Sequence, residues 1–464
     1  MPRHLHEEQT RLARKKTAVK LLTLGCPKNV VDSEAMMGIL NEKGYALTDR
    51  EERADVLIVN TCAFIEPAKE ESIEAILETA RWKERDPSKR LIVTGCLAQR
   101  YAKELATEMP EVDAFVGTSE FMHIADVVES TRRAGPEPHP PILRVSSPAY
   151  QYTQPFPRMR ATPWHTAYLK VGEGCDNRCT FCAIPSFRGD YVSRPADTLV
   201  REAETLAASG VKELVLISQD TTFYGRDLNG KPQLPELLTR LARVDGVEWV
   251  RTLYAYPSLV DDDLLDVLRD EPKVCSYLDV PLQHIDNEIL RRMARGIKES
   301  QLRELVPRVR ERVPNIALRT SFIVGFPGET DEQFDKLAAF VAESRFEHAG
   351  VFRFSPEEGT PAAAMPNPVP EEVVEERFME LVATQTEVAR ENRSRYVGTT
   401  VRVLVDGKKP KTPLLEARME SQAPEIDDVV YLRNATAKSG QFVQARVVEA
   451  YDFDLLAEVV EGTI

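Results

Sequence analysis

The stretch "GEGCDNRCTFCAIP" places Cys175, Cys179 and Cys182 at C-x3-C-x2-C spacing. Three thiolates so arranged can hold three corners of a cubane iron–sulfur cluster and leave the fourth iron open to a small ligand. A structural zinc site is the competing chemistry, but zinc in such sites takes four protein ligands in a closed tetrahedron. The fourth would have to come from afar, from Cys275 or His165, and the sequence has no second C-x2-C. Three further cysteines each end an apolar run: Cys26 in "KLLTLGC", Cys62 in "VLIVNTC" and Cys96 in "LIVTGC", 36 and 34 residues apart, with Gly25 and Gly95 directly before two of them. Any one of these could be a buried structural thiol, since free cysteine is commonly buried. Three at equivalent positions point instead to a second ligand set, again one short of four. Cys275 belongs to neither set and reads as a packed thiol.

The elements that must position these thiols can be read from periodicity. From Thr17 to about Arg133, continuous apolar runs alternate with amphipathic helical patterns, which predicts a parallel sheet covered on both faces. Strands of a parallel sheet share one carboxyl edge, and ligands of open α/β sheets sit outside it. Cys26, Cys62 and Cys96 should therefore converge. Residues 134–163 hold eight prolines and read as a linker, neither helix nor central strand. From Trp164, six runs ("TAYLKVG", "ELVLIS", "WVRTLYAY", "YLDVPLQ", "IALRTSFIVG", "AGVFRF") alternate with helical patterns. They predict a (βα)6 partial barrel of the TIM type with its site at the carboxyl ends of the strands. A long helix ending near Gly398 follows. Short β-branched runs over 396–464 predict an all-β module of about five strands, a small OB-like barrel. The expected fold class is α/β, with parts at 17–133, 134–163 (linker), 164–395 and 396–464.

Net charge is −14, from 60 basic and 74 acidic residues. Nucleic-acid binding needs clustered Lys and Arg, so the balance leans towards a basic protein partner. Residues 397–464 carry 8 Lys and Arg against 11 Asp and Glu, a net of −3. A module gripping tRNA should be basic, whereas an acidic one suits a basic protein through steering; a merely solvated acidic face gives the same count. No apolar run approaches the roughly 18–20 residues of a membrane span. The polar, basic first sixteen residues read as a tail without fixed structure, not as an export signal. An odd cysteine count then suggests a reducing, cytoplasmic setting in which clustered cysteines bind metal or do chemistry.

C-x3-C-x-aromatic-C at a barrel mouth, with Phe181 before Cys182, resembles the radical S-adenosylmethionine superfamily. The resemblance implies that the methionyl group chelates the open iron and that one electron then releases a 5′-deoxyadenosyl radical. Such a radical takes hydrogen from unactivated carbon, chemistry that only a cofactor supplies. Two open-cornered trios in a three-part chain resemble the methylthiotransferases, whose carboxyl-terminal module is called TRAM. "LGCPKNVVDSE", "CTFCAIPSFRGDYVSRP", "PLQH" and "QAPEIDDVVYL" are similar to the branch that modifies an aspartate of ribosomal protein uS12. That branch implies two 4Fe–4S clusters, two S-adenosylmethionine molecules per turnover, 3-methylthioaspartate as product, and a reductant such as flavodoxin. The same chemistry on a tRNA adenosine is the alternative, although direct tRNA binding is not expected; a zinc-binding RNA scaffold is the non-enzymatic one. Asp428 stands where the resemblance leads one to expect glycine, and reads as a change in a turn.

The resemblance also points to cofactor contacts at strand ends, and to no catalytic residue beyond the clusters. "ISQDTT" offers Gln219 and Asp220 towards the methionyl amino group. "RTSFIVGFPGE" offers Arg319, Gly325 and Gly328 near the adenine, the glycines permitting close backbone approach or only a turn. "PLQH" offers Gln283, with His284 structural or catalytic. Phe181 either stacks near the adenine or fills the barrel mouth.

Overall fold

The computed structural model describes residues 16–135, 137, 139–148 and 156–460. The amino-terminal tail and part of the proline-rich stretch lie outside the described residues. The chain divides into two units. The first comprises the residues up to Tyr150 with Phe156–Ala161 and Ser186–Arg188, and the second comprises the remainder.

In the first unit, strands β1 (Ala18–Thr23), β2 (Ala46–Leu47), β3 (Val56–Thr61), β4 (Arg90–Gly95), β5 (Ala114–Val116) and β6 (Ile142–Arg144) form a parallel sheet in the order β2-β1-β3-β4-β5-β6. Every residue of β3 and β4 is buried, as expected of strands covered on both faces. The cover is α1 (Pro27–Glu42), α2 (Glu66–Glu84), α3 (Cys96–Glu108) and α4 (Ile124–Arg133). The register sets Thr23 beside Asn60 and Thr61 beside Gly95, which brings the three strand exits level. Strand β6 falls inside the stretch read as a linker. Its three residues include no proline, and it pairs with β5 alone at the sheet edge, where flanking prolines leave no ladder bond unmade.

In the second unit, β7 (Thr166–Lys170) leads to a short antiparallel pair, β8 (Gly172–Glu173) and β9 (Val192–Ser193). Strands β10 (Glu213–Ile217), β11 (Trp249–Thr252), β12 (Tyr277–Asp279), β13 (Ala317–Val324) and β14 (His348–Arg353) follow. The parallel sheets β11-β10-β7 and β12-β13-β14 join through a parallel bridge between Val250 and Val274, making the six-stranded partial barrel. The long helix runs Glu371–Ser394. Strands β15 (Thr400–Lys408), β16 (Leu415–Arg418), β17 (Val430–Arg433), β18 (Phe442–Ala450) and β19 (Leu455–Val459) close into a five-stranded barrel.

The two barrels of this unit are joined at the amino ends of the larger barrel's strands by buried ion pairs. Glu213 accepts from Arg251 at 2.9 Å and from Arg418 of the small barrel at 2.7 Å. Burial pushes the Glu213 carboxyl up, but the two guanidinium groups outweigh it and hold the group at about 2. Tyr277 Oη donates to Asp427 at 2.7 Å. Asp428 lies 2.9 Å from His348 Nδ1 and 2.8 Å from Arg393. The residue read as a turn substitution is thus a strut tying the small barrel to β14 and the long helix. Burial lowers the His348 pKa, yet Asp427 and Asp428 raise it to about 9.

A histidine whose pKa rises on folding stabilises fully below its unfolded value of about 6.5, and that stability disappears as pH climbs through the folded value. Wild-type stability should therefore fall between about pH 6.5 and 9, with a contribution from this group of at most about 1.4 kcal/mol per pH unit. Thermal melting across that range should show a shallower decline for His348→Gln; parallel profiles would contradict the assignment.

Candidate cluster and cofactor sites

At the carboxyl edge of the first unit, Cys26 caps α1 in extended conformation and its carbonyl accepts from Asn29 N at 2.9 Å. Cys62 directly follows β3, with its amide donating to Ser72 Oγ at 3.0 Å. Cys96 is the first residue of α3. Two of the three thiols thus lie at helix amino termini, whose unpaired N–H groups favour negative charge. Asn29 Nδ2 donates to Leu24 O and Thr61 O, both at 2.9 Å, and ties the exit of β1 to that of β3. Asn60 Nδ2 donates to Asn29 O and Ser33 Oγ, both at 2.9 Å. The two glycines are required by space as well as by conformation. Gly25 has φ +87° and a side chain there would lie 2.7 Å from Cys62 Cβ; Gly95 has φ +97° and would meet Thr61 O at 2.6 Å and Asn60 Oδ1.

Burial pushes the Cys62 thiol up to about 12 and the Cys96 thiol to about 11, and the Cys26 charge acts on both in the same direction. The three thiols therefore share one electrostatic environment, and metal binding there must displace protons. Among the described residues, no three His, Cys, Asp or Glu side chains are gathered about a point that could hold a single metal ion. The donor set fits a cubane with one corner left open.

In the second unit, the loop after β8 carries the other trio. Gly174, at φ +80°, lies so close to Asp190 O and Gly189 O that no side chain fits. Cys175 N donates to Gly189 O at 3.0 Å, Thr180 N to Met293 O at 3.1 Å, and Asn177 Nδ2 to Asp220 Oδ2 at 2.8 Å. Arg295 points Nη1 at Cys179 Sγ, 3.5 Å away, while Nη2 donates to Pro281 O at 2.6 Å. Burial pushes Cys175 up to about 11 and Cys182 to about 12. His165 and Cys275, the remote candidates for a fourth ligand, precede β7 and β12 at the opposite ends of the strands. His165 lies 3.0 Å from Asp406 of the small barrel, and Cys275 is buried beside Arg251.

The expected cofactor contacts separate into distinct places. Gln219 Nε2 donates to Glu173 Oε1 at 2.9 Å, while Gln219 Oε1 is buried without a hydrogen-bond partner. An orphaned acceptor at the carboxyl end of β10 suits a bound ammonium, so this site fits the amino group of S-adenosylmethionine. Asp220 is 2% exposed and already accepts from Asn177, Thr222 and the Phe223 amide. Its role is to hold the cysteine loop. Arg319 needs correction: it is the third residue of β13, towards the amino end, paired with Asp279 at 3.1 Å and Asp427 at 3.2 Å. It belongs to the joint with the small barrel, not to an adenine pocket. Gly325 and Gly328, at φ +76° and +75°, abut Val374 and the Arg292 guanidinium, so the protein's own packing accounts for both. Phe181 packs against the cluster of Ile289, Met293, Phe326 and Ala362. Gln283 has φ +72° and bridges to Phe322. His284 is fully buried, its Nδ1 accepting from Asp286 N at 3.0 Å and its Nε2 lying 3.7 Å from Glu329. Asn29, Asn60, Arg188 and Arg295 carry no signal of their own in the sequence. The first three lie inside "LGCPKNV", "VLIVNTC" and "SFRG", where proximity to a cysteine in the chain is the one available clue.

Residues 18–117 match the uncharacterized protein family UPF0004, 169–341 the radical SAM superfamily, and 397–460 the TRAM domain. The fold is shared with the radical S-adenosylmethionine methyltransferase TsrM from Kitasatospora setae, solved with cobalamin and a 4Fe–4S cluster bound (TM-score 0.53, 15% identity, covering 86% of this chain and 80% of that one). The chain is a radical S-adenosylmethionine enzyme, a class that implies a 4Fe–4S cluster and S-adenosylmethionine. Curated relatives define it more narrowly. The ribosomal protein uS12 methylthiotransferase RimO of Geotalea uraniireducens (strain Rf4) is 47% identical over 96% of this chain and 99% of its own length. That of Anaeromyxobacter sp. (strain Fw109-5) is 50% identical over 96% and 93%. The chain belongs to the uS12 methylthiotransferase RimO family.

Gly44 has φ +85° with nothing within 4 Å of the point where a Cβ would stand, and so isolates the conformational cost from the steric one. Gly44→Ala should cost about 1 kcal/mol. Gly95→Ala should add roughly 1–3 kcal/mol of backbone displacement, read by urea unfolding of the two variants. Equal costs would show that the close approach at the thiol edge is not a constraint.

Proposed function

We propose that this chain replaces a hydrogen on the β-carbon of an aspartate of ribosomal protein uS12 with a methylthio group, giving 3-methylthioaspartate. The observation that carries this reading is the second trio. A radical S-adenosylmethionine barrel alone needs only Cys175, Cys179 and Cys182, whereas Cys26, Cys62 and Cys96 are gathered at one sheet edge by register. When bound, a second cluster on these thiols supplies an open iron for the sulfur to be transferred, and the barrel cluster supplies the electron that cleaves S-adenosylmethionine.

The chain's own residues perform supporting tasks. Asn29 and Asn60 hold the strand exits at fixed spacing. Asp220 and Asn177 fix the barrel loop. Burial of Cys62, Cys96, Cys175 and Cys179 keeps water from competing for the metal corners. The net −3 of residues 397–464 suits a basic ribosomal protein and disfavours tRNA. We assign residues 17–133 to the first cluster domain, 134–163 to a linker that also supplies the edge strand, 164–395 to the barrel and its helix, and 396–464 to the TRAM module. The reading further implies two S-adenosylmethionine molecules per turnover, a flavodoxin-like reductant and a cytoplasmic setting. Among the described residues, no helix is long and apolar enough to cross a membrane.

Anaerobic reconstitution with uS12, and separately with unmodified tRNA, should give a methylthio mass increase on the uS12 aspartate alone. A shift confined to tRNA would overturn the assignment. The triple variant Cys26→Ala, Cys62→Ala, Cys96→Ala should still release 5′-deoxyadenosine while transferring no methylthio group; full transfer by this variant would remove the second trio from the chemistry.

A further inference from the structure

Arg188 follows the barrel trio in sequence, yet Ser186–Arg188 belongs to the first unit. The residue before it is fixed there, Phe187 O accepting from Thr118 Oγ1 at 2.8 Å. The Arg188 side chain is almost fully buried and its guanidinium faces the thiol edge. Nε and Nη2 lie 3.3 and 3.2 Å from Cys96 Sγ, Nη2 donates to Asn29 Oδ1 at 2.6 Å, and Nη1 pairs with Asp32 Oδ2 at 2.9 Å. Asp32 is itself only 5% exposed.

The fork is buried against the sulfur with its charge and direction both set by neighbours. A buried cation is stable only when its charge is matched by well-placed partners, and the Asp32 carboxylate lies on the Nη1 side. The other edge of the planar fork presents two N–H groups to a single sulfur, a geometry that matches an anionic acceptor. A metal-bound thiolate is such an acceptor; a thiol is a weak one. Hydrogen bonds to ligand sulfurs and nearby positive charge stabilise the more negative, reduced form of a cluster and raise its reduction potential.

We infer that Arg188 is a positioning and tuning residue for the cluster carried by Cys26, Cys62 and Cys96: its guanidinium hydrogen-bonds the Cys96 ligand sulfur and sets the potential of that cluster upward. The inference rests on the reading that a cluster occupies this trio. Asp32 and Asn29 orient the fork, so that charge and direction are both supplied.

The test uses the full-length chain with Cys175, Cys179 and Cys182 replaced by alanine, reconstituted anaerobically so that only the first cluster is observed. Its midpoint potential is followed by electron paramagnetic resonance during redox titration. Arg188→Gln and Arg188→Met should shift the oxidised-to-reduced balance about tenfold towards oxidised, ~59 mV lower for one electron. Arg188→Lys, which keeps the charge and loses the fork, should fall between these and the parent. Should Arg188→Met fail to hold iron, Arg188→Lys decides: a lowered potential supports the inference, and the parent's potential overturns it. Unchanged potentials in variants holding about four irons, one cubane, overturn the tuning role while leaving the function intact. A parent that binds no iron overturns the occupancy of the trio and the inference with it.

Discussion

Parallel strand register is the constraint on which the first site depends. Cys26, Cys62 and Cys96 come from three separate βα units, and nothing local in the chain brings them together. They meet because β1, β3 and β4 pair in parallel with Thr23 beside Asn60 and Thr61 beside Gly95. A one-residue slip would turn every strand face over and move a thiol off the shared edge. The register is held in turn by complete burial of β3 and β4 and by Asn29, which spans two strand exits with one amide. Gly25 and Gly95 let the backbones approach closely enough for that amide to reach. The gathering of the three thiols at this edge is therefore a consequence of sheet packing.

Much of this is legible in the sequence because it follows from periodicity. Alternation of apolar runs with helical patterns announces parallel sheets, and a cysteine at the end of each run then falls on a known edge. The six barrel strands, the long helix and the five-stranded terminal barrel are legible for the same reason. What escapes reading depends on contacts distant in sequence. Arg319 stands in a stretch that resembles a cofactor-binding strand, but its guanidinium is taken by Asp279 and Asp427, and a strand's pattern does not say which of its ends a residue serves. Asp428 reads as a turn because its partners, His348 and Arg393, lie 80 and 35 positions away in the chain. The edge strand Ile142–Arg144 hides among prolines because three residues are too few to show a period.

Within the second unit, the two ends of the larger barrel do different work. At the amino ends, Glu213, Arg251, Arg418, Asp427 and His348 fasten the small barrel. The carboxyl ends hold the cysteine loop, where Gln219 has an unpartnered oxygen and Arg295 aims a nitrogen at Cys179. Stability and chemistry are thereby separated along the strands, as in other α/β barrels. Remote candidates such as His165 and Cys275 are excluded from the cluster for the same reason, since they occupy the fastening end.

The proposed function requires two cubanes, one on each trio of thiols. Mössbauer spectroscopy with iron and sulfide analysis, on chains lacking one trio at a time, tests it directly. The intact chain should hold about eight irons, and about four when either trio is replaced, each remaining signal typical of a 4Fe–4S cluster. A chain that loses all its iron on removal of the barrel trio, or that binds zinc without sulfide, would contradict it.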